Sequence, residues 1–326
     1  MQTVKQTKRA SGMADKKLWW AVLAGIVLIA LPAFLSQSWV SITTEMLIMS
    51  LAACALNIML GYTGMVSFGP AGLYAVGAYA TAVLLERLGV SLPLALLAAP
   101  VLSALIGVAV GWICVRRSAV YFALLTLAFA QIIWTVIFEW YSVTGGDDGL
   151  VDIPIPEFFF SISNSYYFNL GIVSVCIFVI WRVVNSPFGR TLQAIRENPD
   201  RVEFIGVNVK KYQLAAFVLS SVFLGISGSL YCVFSGSVFP NYAHWVKSTD
   251  MLVICLMGGL YNFFGPVVGT AIYTVLSKVI AKYTMHWHLI LGAIIVMIVL
   301  MMRNGVVGSI ANRIARARRA GSASEV

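Results

Sequence analysis

The sequence predicts an all-α fold, a polytopic bundle of transmembrane helices, and three observations carry that prediction. The 326 residues are 60% hydrophobic and only 11% charged, where a soluble domain carries about 25% charged residues, so a water-soluble class is excluded. Uncharged stretches recur along the chain, among them 46–85, 88–115 and 251–277, each longer than the roughly 20 apolar residues that one helical crossing needs. Runs such as Leu18–Leu35 do not alternate. That rules out a closed barrel, the other backbone that satisfies its own hydrogen bonds in lipid.

Taken in order, spans are expected near 18–35, 42–60, 66–85, 92–114, 119–140, 167–184 and 212–235. The basic lead Lys5, Lys8, Arg9, Lys16 and Lys17 ahead of the first run shares the layout of a secretory signal. Trp19-Trp20 suit an interface belt, and no clear small-x-small cleavage site follows, so an uncleaved first span is expected. With that lead inside, Arg116-Arg117 and the basic stretch 182–211 also fall inside, and Asp147, Asp148, Asp152 and Glu157 fall outside. The tail bearing Arg303, Arg313, Arg316, Arg318 and Arg319 belongs inside as well, which demands an even number of crossings. Splitting the later region at Gly258-Gly259 into 249–258 and 265–281, followed by 286–302, gives about ten crossings, including short or broken helices. Arg87, Lys247, Lys278 and Lys282 remain as exceptions to the charge rule.

The expected plan is a cytoplasmic tail 1–17, a transmembrane domain 18–302 with a cytoplasmic loop 185–211 and an external loop 142–166, and a basic cytoplasmic tail 303–326. Both termini are cytoplasmic in this plan. The net charge of +9 then belongs to cytoplasmic loops and calls for no nucleic acid. Cys54, Cys114, Cys176, Cys232 and Cys255 lie far apart in apolar runs, a pattern of small buried residues that suggests neither metal nor disulfide.

Two places break the apolar pattern with glycine and proline. The first runs from Gly61 through Tyr62, Thr63, Gly64, Ser67, Phe68 and Gly69 to Gly72, and the second from Gly258-Gly259 to Phe264-Gly265-Pro266 and Gly269. Both pass from glycine to Phe-Gly-Pro, which points to an internal repeat and a solute pathway, since unwound backbone at membrane depth is tolerated where it is buried in protein or lines a wet cavity. The competing reading is that they are ordinary inter-span loops. Ser103, Gly107 and Gly111, like Ser221, Gly225 and Ser229, recur every four residues and read as faces for close helix packing.

Predicted spans carry no His-x-x-x-His, paired carboxylate or serine–histidine grouping, and the chain has no Gly-x-x-x-x-Gly-Lys-[Ser/Thr] loop. No catalytic residue and no metal site are therefore expected, and any uphill transport must draw its energy from a partner. A partner has a place to attach in the 185–211 loop. Asn198 is the expected N-cap of a short helix, Pro199 its first residue and Gly206 its left-handed stop. Between them Asp200, Arg201 and Glu203 are charged, and Val202, Phe204 and Ile205 supply an apolar side.

At this loop the sequence resembles a known family. Ser186-Pro187-Phe188-Gly189-Arg190, Ala194-Ile195-Arg196-Glu197-Asn198, Glu203, Gly206, Val209 and Ala216-Phe217-Val218-Leu219-Ser220 are similar, in order and spacing, to permease subunits of the branched-chain amino acid class of ABC importers. The resemblance extends to Leu56-Asn57, Gly61-Tyr62-Thr63-Gly64, Ser67-Phe68-Gly69, the stretch Tyr121–Gln131, the loop Thr144–Leu150 and Gly258-Gly259 with Phe264-Gly265-Pro266. It implies a cytoplasmic coupling helix at Glu197–Gly206 that docks on an ATPase, with Arg201, Val202 and Phe204 departing from the family's small residues there. It further implies a second homologous permease, two ATPase subunits that hold ATP and magnesium, an external solute-binding protein, and a bacterial inner membrane. This chain itself is expected to hold no cofactor.

The loop residues Gly145, Gly146, Asp147, Asp148 and Gly149 are the candidate contact with the binding protein. Tyr62, Thr63, Ser67, Thr126 and Gln131 are pathway candidates able to hydrogen-bond a passing zwitterion or amide, or else simply to bond between helices. The solute is a branched-chain amino acid or a related small polar molecule such as urea, an amide or another amino acid. An ion-coupled carrier or facilitative channel and a membrane-embedded enzyme are the competing function classes.

Overall fold

The computed structural model describes residues 28–117, 119–301 and 305–309. The basic lead, most of the first expected span and nearly all of the C-terminal tail lie outside these residues. After a helical segment at 28–34 come α1 (Gln37–Asn57), α2 (Pro70–Glu86), α3 (Leu92–Cys114), α4 (Ala119–Glu139), α5 (Ile162–Val184), α6 (Pro187–Glu197), α7 (Pro199–Phe204), α8 (Val209–Ser235), α9 (Trp245–Gly258), α10 (Gly265–Tyr283) and α11 (Trp287–Met301). Among the described residues the only strand-like pairing is an isolated bridge between Leu150 and Val238.

Local chemistry explains many of the boundaries. Proline in the first turn opens α2, α3, α6, α7 and α10, where its missing N–H costs nothing and its fixed φ suits the helix. α1 runs on into a π turn, Ile58–Thr63, which Gly64 ends with φ 77°, a conformation that glycine reaches without steric cost. Residues 66–69, expected at the start of the third span, are non-helical. The helix begins instead at Pro70, which sits in the first turn where its missing N–H costs nothing.

Among the described residues five helical stretches are long and apolar enough to cross a membrane: Gln37–Thr63, α3, α4, α5 and α8. α2, with 17 residues, and α9, with 14, fall short. At 1.5 Å per residue α9 reaches about 21 Å against roughly 30 Å of hydrocarbon. Each of the ten expected segments nevertheless contains a helix.

α1 with its π turn buries 89% of its most apolar window and α8 67%, whereas α4 buries 22%. The first two therefore form the centre, with α2, α3 and α8 packed together on one side and α5, α9 and α10 around α1. Small residues let these helices approach. A side-chain carbon on Gly77 would strike the Gly225 backbone, and one on Gly228 would strike the Tyr74 carbonyl. The two predicted small-residue faces meet each other: Gly107 lies against Ser221, and Gly225 against Ser103. Serine hydroxyls donate across adjoining helix contacts, from Ser103 on α3 to the Leu73 carbonyl on α2 (3.0 Å), and from Ser220 and Ser227 on α8 to the Ala55 (2.6 Å) and Ile48 (2.7 Å) carbonyls on α1. All five cysteines are buried and free.

Two of the four charges that broke the inside rule have carboxylate partners. Lys278 on α10 meets Glu45 on α1 at 2.9 Å, and Arg87 approaches Glu86 at 3.9 Å.

Candidate functional site

One end of the bundle is built around the 185–211 loop. α6 ends at Glu197, the chain kinks at Asn198, and α7 follows. The Asn198 side-chain oxygen accepts from the Arg201 amide at 3.0 Å, satisfying one orphan donor of the first turn. Gly206, at φ 86°, turns the chain away, and Asn208 caps α8 by accepting from the Lys211 amide at 3.1 Å.

The expected apolar side of α7 is divided in the structure. Val202 is buried with Ile195 and Val209, flanked by Val207 and Tyr212. Phe204 and Ile205 are 90% and 77% exposed. Ile205 lies beyond the last helical residue, so its side chain leaves the face that Val202 occupies. Asp200, Arg201 and Glu203 are also exposed. The result is a short capped helix, welded beneath to α6 and α8, with two large apolar side chains at an otherwise charged tip.

Both glycine-broken segments come to this end and touch. A side-chain carbon on Gly61 would meet the Leu260 carbonyl and the Asn57 side chain. In each segment Phe-Gly-Pro begins a helix, α2 at Pro70 and α10 at Gly265. Gly258 is wedged against Gly265, and Gly269 against Ile254, so these glycines hold the α9–α10 crossing together. Gly259, at φ 111°, makes the turn between them. Residues 305–309 return here as well, with Gly305 against Gly259.

Several pathway candidates are brought together and used locally. The Thr126 hydroxyl accepts from the Phe68 amide at 3.2 Å and donates to the Ala123 carbonyl at 2.9 Å, and Gly69 packs directly on Thr126. Ser67 accepts from the Gly69 amide, and Thr63 donates to the Ile58 carbonyl. Gln131 differs, because its buried side-chain oxygen has no partner. Tyr62 is half-buried. Asn57 has a similarly unpartnered oxygen and lies against Gly61, about one helical turn further on.

The loop 142–166 lies at the opposite end. Gly145, Gly146 and Gly149 all take positive φ, and Leu150 exchanges both backbone hydrogen bonds with Val238 (2.9 and 2.8 Å). Asp147 and Asp148 are held at the exposed tip. The Tyr141 hydroxyl donates to Asp148 at 3.1 Å, and that bond to a carboxylate holds the phenol above its ordinary pKa. The Glu45–Lys278 pair was missed by sequence reasoning because its members are far apart in the chain. Among the described residues no group of His, Cys, Asp or Glu could hold a metal.

A bundle of long apolar helices with a capped, surface-borne helix at one end and glycine-broken segments beneath it is the build of a multi-span membrane protein. Residues 38–300 match the family described as the branched-chain amino acid transport system permease component, and the chain belongs to that family. It is 27% identical over 307 residues to the high-affinity branched-chain amino acid transport system permease protein LivM of Salmonella typhimurium, covering 86% of this chain and 72% of that protein. It is 26% identical to LivM of Escherichia coli K12, covering 90% and 76%. It is 23% identical to the permease protein LivH of Salmonella typhimurium, covering 79% and 91%. No solved structure matches the chain.

Proposed function

We propose that this chain is the permease subunit of an ATP-binding-cassette importer in the inner membrane of a bacterium, forming half of a translocation pathway for branched-chain amino acids or a related small polar solute. In this reading it makes about ten crossings, counting short and broken helices, with both termini and α7 on the cytoplasmic side. The observation that carries it is the exposure of Phe204 and Ile205 on a capped helix welded to the bundle. Two large apolar side chains in water are a cost that a partner's pocket removes. The neighbouring Arg190, Arg196, Arg201, Lys210 and Lys211 suit a cytoplasmic face.

The partner is an ATPase subunit, one of two, which bind ATP and magnesium. ATP-driven closure of the pair moves the docked helices and switches the side on which the pathway opens. A second, homologous permease completes the pathway; likeness to both LivM and LivH supports such a pairing. An external solute-binding protein meets the loop around Asp147 and Asp148 and sets most of the specificity. Thr126, Gln131 and the Gly61–Gly69 segment line the route.

The test is uptake of labelled leucine into proteoliposomes. Transport should require the co-expressed ATPases and stop with Glu203→Lys, while the variant still reaches the membrane. Uptake by the chain alone without ATP would overturn the reading. The Glu45–Lys278 pair favours an ion-coupled carrier, and a proton gradient driving that uptake would identify one. Calorimetric titration of leucine, isoleucine, valine and urea into the cognate binding protein decides the solute.

A further inference from the structure

Arg196 is the residue at which α6 and both glycine-broken segments meet. Its Nη1 donates to the Gly61 carbonyl, and its guanidinium lies over the Tyr261 ring, 4.7 Å from the centroid. A side-chain carbon on Gly64 would sit 2.9 Å from Arg196 Cγ, so the arginine stem also packs on the turn that ends the π segment.

The Gly61 carbonyl needs this donor. In a continuing α-helix it would accept from the Met65 amide, but that amide goes to the Met59 carbonyl at 2.9 Å. A buried carbonyl stranded in this way is destabilising if nothing satisfies it. A guanidinium can donate in its plane and present its face to an aromatic ring at once, which an ammonium cannot. On its other side Arg196 is tied to α7: its neighbour Ile195 is buried with Val202 of α7 and Val209 of α8, and Asn198, two residues on, caps α7.

We infer that Arg196 is a positioning residue that clasps α7 to the two glycine-broken segments, so that a displacement of α7 moves both together. The inference rests on the reading of α7 as the ATPase-docking helix. Gly64 and Gly259, both at positive φ, lie on either side of the clasp and give each segment a turn about which to shift.

The experiment uses the complete transporter with its binding protein in proteoliposomes and measures solute taken up per ATP hydrolysed. Arg196→Gln should co-purify with the ATPases yet lose at least tenfold in this ratio. Tyr261→Leu should lose several-fold, and Tyr261→Phe, which keeps the ring, should retain the ratio. A ratio within twofold of the parent for both Arg196→Gln and Tyr261→Leu overturns the clasp. If Arg196→Gln does not assemble, the Tyr261 pair decides alone: loss with Leu and retention with Phe supports it, and equal ratios overturn it. Phe204→Asp separates the underlying reading. If it leaves the ATPases bound and uptake intact, docking through α7 has failed; if it releases them while the Arg196 and Tyr261 variants stay coupled, only the clasp has.

Discussion

Gly228 and Gly171 are both helical glycines, yet they answer to different constraints. Gly228 faces the Tyr74 carbonyl with no room for a methyl group, whereas Gly171 on α5 has nothing within 4 Å of where one would stand. Gly228→Ala should therefore lower the thermal midpoint of the detergent-purified protein, through overpacking of about 1–3 kcal/mol. Gly171→Ala should leave it level or raise it, since alanine loses less backbone entropy than glycine in a helix. Equal shifts in the two variants would mean that helix contact at Gly228 is looser than described. The sequence exposes all the glycines alike, and spacing singles out only those that repeat every four residues. Gly228 repeats with none of them and could not be found that way.

Elements are more legible than contacts because their ends are encoded locally. Asn198, Pro199 and Gly206 mark α7 without help from the rest of the chain, and the helix forms between them. Its six residues are far too few to persist without the cap and the weld. Asn198→Ala should cost about 1 kcal/mol at this helix and speed amide exchange over 200–206, leaving exchange in α8, capped separately by Asn208, unchanged. Asn198→Asp should keep most of the protection. Fast exchange with both variants would assign the cap's role to the backbone kink instead of the side-chain oxygen. What local chemistry does not encode is which way Val202, Phe204 and Ile205 point: the apolar side expected of all three is split, because Ile195 and Val209, brought in from neighbouring helices, cover only Val202.

Across the whole molecule, Glu45 and Lys278 join α1 to α10 at 2.9 Å. Glu45 has just 23% of its side chain exposed, and losing its partner leaves a largely covered carboxylate uncompensated. Lys278→Met and Glu45→Gln should each lower the thermal midpoint, and the double variant should fall by less than their sum, a coupling of about 1 kcal/mol. Strict additivity in that cycle would show that the pair is held by the helices and contributes nothing to holding them. By itself the sequence determined an all-α membrane protein, the helical segments and the capped α7, because apolar run length, proline, glycine and capping residues act within a few positions of one another. Only the tertiary structure decided that the stripe on α3 packs against the stripe on α8, that Lys278 finds Glu45, and that Arg196 stands between the two glycine-broken segments. Such pairings depend on which helix faces which, and that choice is made by close packing among all the helices at once, where no local pattern carries the address of its partner.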